Sequence, residues 1–152
     1  MDIEIARASD GDADRLLSLL ESCDGEFDPP LSARVDLSEY VQKLLRSAIV
    51  IVARIHGEIA GFAAFYANDP SHKISFLSLI LIDQQFRRYG LGRTLMEQWI
   101  KHCRQQRFRE LHLEANAADT RLVEWYGQQG FKTVGHYARQ GSHAVQMVLS
   151  LS

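Results

Sequence analysis

The stretch Leu79-Ile80-Leu81-Ile82-Asp83-Gln84-Gln85-Phe86-Arg87-Arg88-Tyr89-Gly90-Leu91-Gly92-Arg93 reads as a buried strand running into a basic, glycine-bearing turn that opens a helix. At a helix start the first amide N–H groups have no partner and the macrodipole is positive. Gly90 and Gly92 carry no Cβ, so an anion can approach the backbone, and Arg87, Arg88 and Arg93 add charge to the same spot. The reading is a cradle for a diphosphate. Two better-known phosphate motifs fail. The dinucleotide fingerprint needs a third glycine where Leu95 stands, and the P-loop needs a glycine where Arg87 stands and a lysine where Arg93 stands.

Periodicity extends outward from this turn. Ile3–Ala6 reads as a short strand. Ser9 with Asp12 caps a helix bearing Ala13, Leu16, Leu17 and Leu20, and Asp36 with Glu39 caps a second bearing Leu37, Tyr40, Val41, Leu44 and Leu45. Ala48–Ile55 and Glu58–Tyr66 form a hairpin around His56-Gly57. After a loop through Asn68-Asp69-Pro70, the strand Lys73–Ile82 leads to the turn, then to a helix reaching about Gln106 with Leu91, Leu95, Met96, Trp99, Ile100 and Cys103 inward. Arg109–Ala115 is a strand, and Asp119 caps a helix that runs to Gln129 and stops at Gly130. Phe131–Tyr137 and His143–Leu151 close as a hairpin around Gln140-Gly141. The predicted class is mixed α/β with parallel and antiparallel pairing: about seven strands and four helices.

Composition sets outer bounds. With 152 residues, 46% hydrophobic and 24% charged, the chain is expected to be a single domain over 1–152 with a core of its own. Seventeen Lys+Arg against nineteen Asp+Glu give −2, too balanced for a dedicated nucleic-acid binder. The charge is uneven: residues 1–40 hold eleven acids and three bases, a local −8. Such asymmetry suggests that one end meets a cation and the other an anion. Met1-Asp2-Ile3-Glu4 is acidic where a targeting signal would be basic, and the most apolar stretch, Ile74 to Ile82, is too short for a membrane span. Cys23 and Cys103 stand alone, which favours reduced thiols and a cytoplasmic setting, and the six histidines lack metal-ligand spacing. No metal and no membrane partner are expected.

Arg87-Arg88-Tyr89-Gly90-Leu91-Gly92 resembles the acetyl-CoA signature of the GNAT superfamily of N-acetyltransferases, Gln/Arg-x-x-Gly-x-Gly/Ala. Trp125-Tyr126-Gly127-Gln128-Gln129-Gly130-Phe131 is similar to the family's aromatic-Tyr-x-x-x-Gly-Phe block, and the element order matches along the chain. The resemblance implies a GNAT-type, mostly antiparallel central sheet and acetyl-CoA as cosubstrate. It implies that Leu79, Ile80, Leu81 and Ile82 line a splayed strand holding the pantetheine through backbone groups. Arg87, Arg88, Tyr89, Gly90, Leu91, Gly92 and Arg93 would hold the diphosphate, with Asp119 and Tyr126 also beside the cosubstrate. One departure is visible: the family usually carries Asn where this chain has the anion Asp119.

Acetyl transfer to an amine needs a base and an acid. Deprotonating a lysine-like amine at pH 7 costs about 4–5 kcal/mol, an α-amine nearer 1 kcal/mol. The resemblance offers Tyr126 as the acid for the leaving sulfur and Glu114 as the base, as in ribosomal-protein N-terminal acetyltransferases. Strand alternation in Leu111–Ala115 puts His112 beside Glu114 as an alternative base. Cys103 falls on the inner helix face, so direct transfer without an acyl-enzyme is expected. The acidic N-terminal region, through Glu26 and Asp28, is expected to draw a cationic amine, and the expected acceptor is an amine of a small molecule or amino sugar. A protein N-terminus is the alternative acceptor, and a non-catalytic acyl-CoA-binding module the alternative of another class. The apolar alternation Val145, Met147, Leu149, Leu151 invites a contact with a second copy.

Overall fold

The computed structural model describes residues 2–27, 29–69, 71, 73–139 and 142–151. In chain order the elements are β1 (Ile3–Arg7), α1 (Ala13–Cys23), α2 (Leu37–Ser47), β2 (Ile49–Ile55), β3 (Glu58–Tyr66), β4 (Ile74–Ile82), α3 (Leu91–Gln105), β5 (Glu110–Asn116), α4 (Thr120–Gln128), β6 (Lys132–Arg139) and β7 (Ser142–Ser150). All seven strands join one sheet in the order β1-β2-β3-β4-β5-β7-β6. Among the described residues only β4 and β5 run parallel; every other pair is antiparallel.

Local chemistry accounts for these boundaries. Asp12 accepts from the Ser9 N–H at 2.9 Å, and a 3-10 turn over Asp10–Asp12 precedes α1. Asp36 accepts from the Glu39 N–H at 2.9 Å and starts α2. His56 and Gly57 both have positive φ, 52° and 77°, as a two-residue hairpin turn between right-twisted strands requires. The turns at Pro70 and Gln140-Gly141 lie outside the described residues, as do Asp28 and His72.

The sheet separates two hydrophobic clusters. On one side α3 buries Leu91, Leu95, Met96, Trp99 and Cys103 against Leu111, Leu113, Val145 and Met147, with Tyr126 and Phe131 closing the layer. On the other, α1 and α2 bury Leu16, Leu19, Leu20, Val41 and Leu44 against Val50, Val52, Phe62, Leu79 and Leu81. The inward face of α1 therefore centres on Leu19 and Cys23 rather than on Ala13 and Leu17, which are only half-buried. This second cluster stops at β4, so β5 and β7 present His112, Glu114 and Gln146 on a face without a helix layer. β7 lies between β5 and β6, and Val145, Met147, Leu149 and Leu151 all pack on the α3 side. The alternation that invites a second copy is used within the chain's own core.

Candidate active site

The parallel ladder between β4 and β5 covers only Ile74–Phe76 against Glu110–His112. Beyond it, β4 continues on β3 and β5 continues on β7, so the sheet forks between Leu77–Ile82 and Leu113–Asn116. A bulge at Ser78, between the pairs Ala64↔Leu79 and Phe65↔Leu77, lies where the strands part. The Ser78 hydroxyl there hydrogen-bonds the Tyr40 hydroxyl of α2.

Backbone parity decides which strand residues address the fork. The Asp83 N–H donates to the Ala60 carbonyl at 2.8 Å, so the paired residues Leu81 and Leu79 also bond toward β3. The backbone groups of Ile80 and the N–H of Ile82 then point into the fork, while the Ile82 carbonyl accepts from Arg87 Nε at 3.1 Å. Of the four strand residues expected to hold pantetheine, Ile80 and Ile82 turn backbone toward the fork, whereas Leu79 and Leu81 are spent on β3, their side chains buried on the α1–α2 side. Gly61 stands opposite Ile82, where a Cβ would meet Ile82 Cδ1 at 2.7 Å and the Leu81 carbonyl at 2.8 Å. Gly61 is absent from the expected site. Its signal is an isolated glycine inside an apolar strand, the mark of close backbone approach.

The fork ends at the start of α3. Asp83 accepts from the Gln85 N–H at 3.0 Å, and a 3-10 turn leads to Gly90. Its φ of 71° is left-handed, and the space where a side chain would begin is open. Thr94 N–H donates to the Gly90 carbonyl at 3.1 Å, so the N–H groups of Leu91, Gly92 and Arg93 precede the helical ladder. Gly92 faces α4, and a Cβ there would sit 3.6 Å from the Trp125 ring, an ordinary contact.

The three arginines do not converge on this helix start. Arg87 donates from Nε to the Ile82 carbonyl at 3.1 Å and pairs with Glu26 at 2.6 Å. Arg93 pairs with Glu97 at 3.2 Å along the helix surface, and Arg88 is exposed. An anion at this helix start would therefore meet backbone N–H groups, with arginine charge around them. Tyr89 is exposed beside Phe86, their ring centroids 6.3 Å apart.

Tyr126 sits in α4 at 6% exposure, edge-on to Trp125 and Phe131 with centroids 5.2 and 5.9 Å away. Burial, and secondly the Asp119 carboxylate, push its phenol up to about 12. Asp119 is exposed, and its carboxylate accepts from the Leu122 N–H at 3.1 Å as the cap of α4. Glu114 is exposed on the face of β5 opposite Leu113, across from Gln146 on β7. Tyr126 packs in the cluster on the other side of the sheet, so the two side chains flank the fork from opposite faces. His112 is held at both ring nitrogens, by Glu110 at 2.9 Å and Gln146 at 3.2 Å, and lies 5.2 Å from the Phe76 ring. With both nitrogens engaged it is poorly placed to take a proton from an acceptor.

Glu26 is not open to an incoming amine: Arg87 holds one oxygen and the Gln84 amide donates to the other at 2.7 Å. Asp28 lies outside the described residues. Burial raises the Cys103 thiol above its ordinary range, which leaves it protonated at neutral pH and unsuited to attack. Among the described residues no helix is long and apolar enough to cross a membrane, and no three His, Cys, Asp or Glu side chains gather as a metal site would need.

A forked parallel pair and helix-start amides that precede the helical ladder at its end together suit a long thioester with a diphosphate. Residues 27–151 match the family model described as an acetyltransferase (GNAT) domain. N-alpha-acetyltransferase 30 of Dictyostelium discoideum is 24% identical over 110 residues, which is 68% of this chain; the match spans 58% of that relative's length. Solved structures share the fold, among them the following two. The ribosomal-protein-S18-alanine N-acetyltransferase of Escherichia coli superposes with a TM-score of 0.81 at 20% identity, covering 99% of this chain and 95% of that one. Ard1 of Thermoplasma volcanium superposes at 0.82, also 20% identical, covering 100% and 99%. The diphosphate cradle read from Arg87–Gly92 and the aromatic block ending at Phe131 both fall inside the matched span, and the chain belongs to the GNAT family of N-acetyltransferases.

Proposed function

We propose that this enzyme transfers the acetyl group of acetyl-CoA directly to the α-amine of a peptide N-terminus. The residues fit the cosubstrate: Leu91, Gly92 and Arg93 would hold the diphosphate through N–H groups, and Ile80 and Ile82 would hold the pantetheine arm through backbone. Acetyl-CoA supplies an activated acyl thioester and a thiolate leaving group. Every other role belongs to the chain.

The observation that carries the choice of acceptor is the setting of Glu114. It is exposed, on a face of β5 without a helix layer. An exposed carboxylate, directly or through one water, suits an amine that gives up its proton cheaply. For an α-amine that step costs about 1 kcal/mol at pH 7, against about 4–5 kcal/mol for a lysine side chain. The Dictyostelium and Escherichia coli proteins, an N-alpha-acetyltransferase and an alanine N-acetyltransferase by name, support the same class of acceptor. The acidic N-terminal region would draw any cationic amine, an α-amine included, and its Glu26 is already paired with Arg87.

Tyr126 acts as a hydrogen-bond donor to the departing sulfur. Full transfer from a phenol at about 12 to a thiolate of ordinary pKa, near 8.5, is uphill by roughly 5 kcal/mol. A neutral O–H held in a dry site stabilises developing charge without giving up its proton.

The test is a panel of peptides with varied first residues, alkylamines and amino sugars, each mixed with acetyl-CoA and followed by thiol release. Peptides are expected to exceed the small amines in kcat/KM by roughly tenfold or more, about 1.4 kcal/mol in the transition state. Turnover confined to amino sugars or polyamines would refute the acceptor class.

A further inference from the structure

Arg87 opens the signature turn, yet its guanidinium is held by groups outside the helix start. Three acceptors hold it: the Ile82 carbonyl at 3.1 Å, Glu26 Oε1 at 2.6 Å and Cys23 Sγ at 3.9 Å. The second oxygen of Glu26 takes the Gln84 amide at 2.7 Å. One carboxylate from the α1–α2 connection thus grips two side chains of the turn that precedes α3. Burial pushes the Glu26 carboxyl up, but hydrogen bonds from Gln84 and Arg87 outweigh it and leave the group ionised below its usual range.

The connection is itself closed. Asp24 accepts from the Ser32 N–H at 2.9 Å and from the Ser32 hydroxyl, while Leu31 is buried and Phe27 packs on the second cluster. The fork wall at Ile82, the turn and the α1–α2 connection are consequently linked through one guanidinium. Nothing in the neighbourhood of either residue along the chain hints at this pair, whose members lie far apart in sequence.

We propose that Glu26 is a positioning residue that couples occupancy of the diphosphate cradle to the order of the α1–α2 connection, through Arg87 and Gln84. The inference rests on the acetyl-CoA reading of the cradle. An anion on the amides of Leu91–Arg93 fixes the turn, and the turn then holds the connection through Glu26. The carboxylate expected to lure the amine becomes the latch of the wall that the turn supports.

Hydrogen exchange with coenzyme A as the probe tests the coupling. In the wild-type protein, coenzyme A is expected to slow exchange at residues 87–95 and also in the α1–α2 connection, the latter by roughly threefold, within the reach of a half-exposed ion pair. In Glu26→Gln, protection at 87–95 should persist while the response of the connection vanishes. Leu31→Ala, which loosens the connection but leaves the ion pair, should keep the response and so separates coupling from stability. A connection that answers coenzyme A equally in wild type and Glu26→Gln, or in neither while the turn is protected, overturns the proposal. Lack of protection at 87–95 in the wild type overturns the cosubstrate reading and the coupling together.

Discussion

The indole N–H of Trp99, midway along α3, donates to Ser75 Oγ at 2.9 Å, and the Ser75 hydroxyl donates to the Tyr66 carbonyl at 2.7 Å. Ser75 is fully buried and belongs to the three-residue stretch where β4 still pairs with β5. One hydroxyl thus pins the cosubstrate helix to β3 and β4 at the vertex of the fork. Replacing it by Ala strands the buried Trp99 N–H, at about 1–3 kcal/mol, and removes a donor from the part-buried Tyr66 carbonyl. Urea unfolding of Ser75→Ala should show that loss. A change below about 0.5 kcal/mol would mean the groups find other partners.

Tyr126→Phe keeps the ring and its packing against Trp125 and Phe131 while removing the O–H. Loss of one donor to a developing anion typically lowers kcat by about 10²–10³. Because the contact with sulfur strengthens only as the bond breaks, KM for acetyl-CoA should change little. Steady-state kinetics with a peptide acceptor measure both constants. An unchanged kcat would remove Tyr126 from the chemistry.

Much of this arrangement is legible in the sequence. Periodicity places all seven strands because each carries an apolar face or run, and the caps at Asp36 and Asp119 are local chemistry. The fork is expected only through family resemblance, since Leu79–Ile82 would look the same in a fully paired strand. The arginines mislead for a physical reason. Clustering in sequence says where backbones lie, whereas a long flexible side chain goes to the acceptor that tertiary structure offers: Glu26 for Arg87 and Glu97 for Arg93. Ser75 and Gly61 escape such a reading because a small residue in an apolar strand shows its purpose only when its neighbours across the sheet are known.

Gly90 and Gly92 are expected to differ sharply. Gly90 is left-handed at φ 71° with open space around it, so Ala there meets backbone strain of about 1–2 kcal/mol rather than a clash. Gly92 is helical, and an added methyl would touch the Trp125 ring at 3.6 Å. Gly90→Ala should weaken coenzyme A binding by roughly tenfold as the turn shifts, while Gly92→Ala should stay within about 0.5 kcal/mol in stability. Calorimetric titration with coenzyme A and thermal unfolding of both variants decide the point; equal losses would place close approach, not conformation, at the root of both glycines.

Asp119 links the cap of α4 to the ionisation of Tyr126. The phenol is raised from 10.0 to about 12, by burial first and by the Asp119 charge second. A folded-state value above the unfolded one means that this stability is fully present below pH 10 and is lost as pH climbs toward 12, by about 3 kcal/mol at most. Comparing unfolding free energies of wild type and Tyr126→Phe at pH 9 and near pH 12 isolates that contribution, and the wild type should lose more. Asp119→Asn keeps a good N-cap, so stability at pH 7 should change by less than about 0.5 kcal/mol. It removes only the smaller cause, so ultraviolet titration should find the Tyr126 phenol still above 10 but ionising earlier than in the wild type. A return to the ordinary tyrosine range in Asp119→Asn would show that the carboxylate, not burial, governs the phenol.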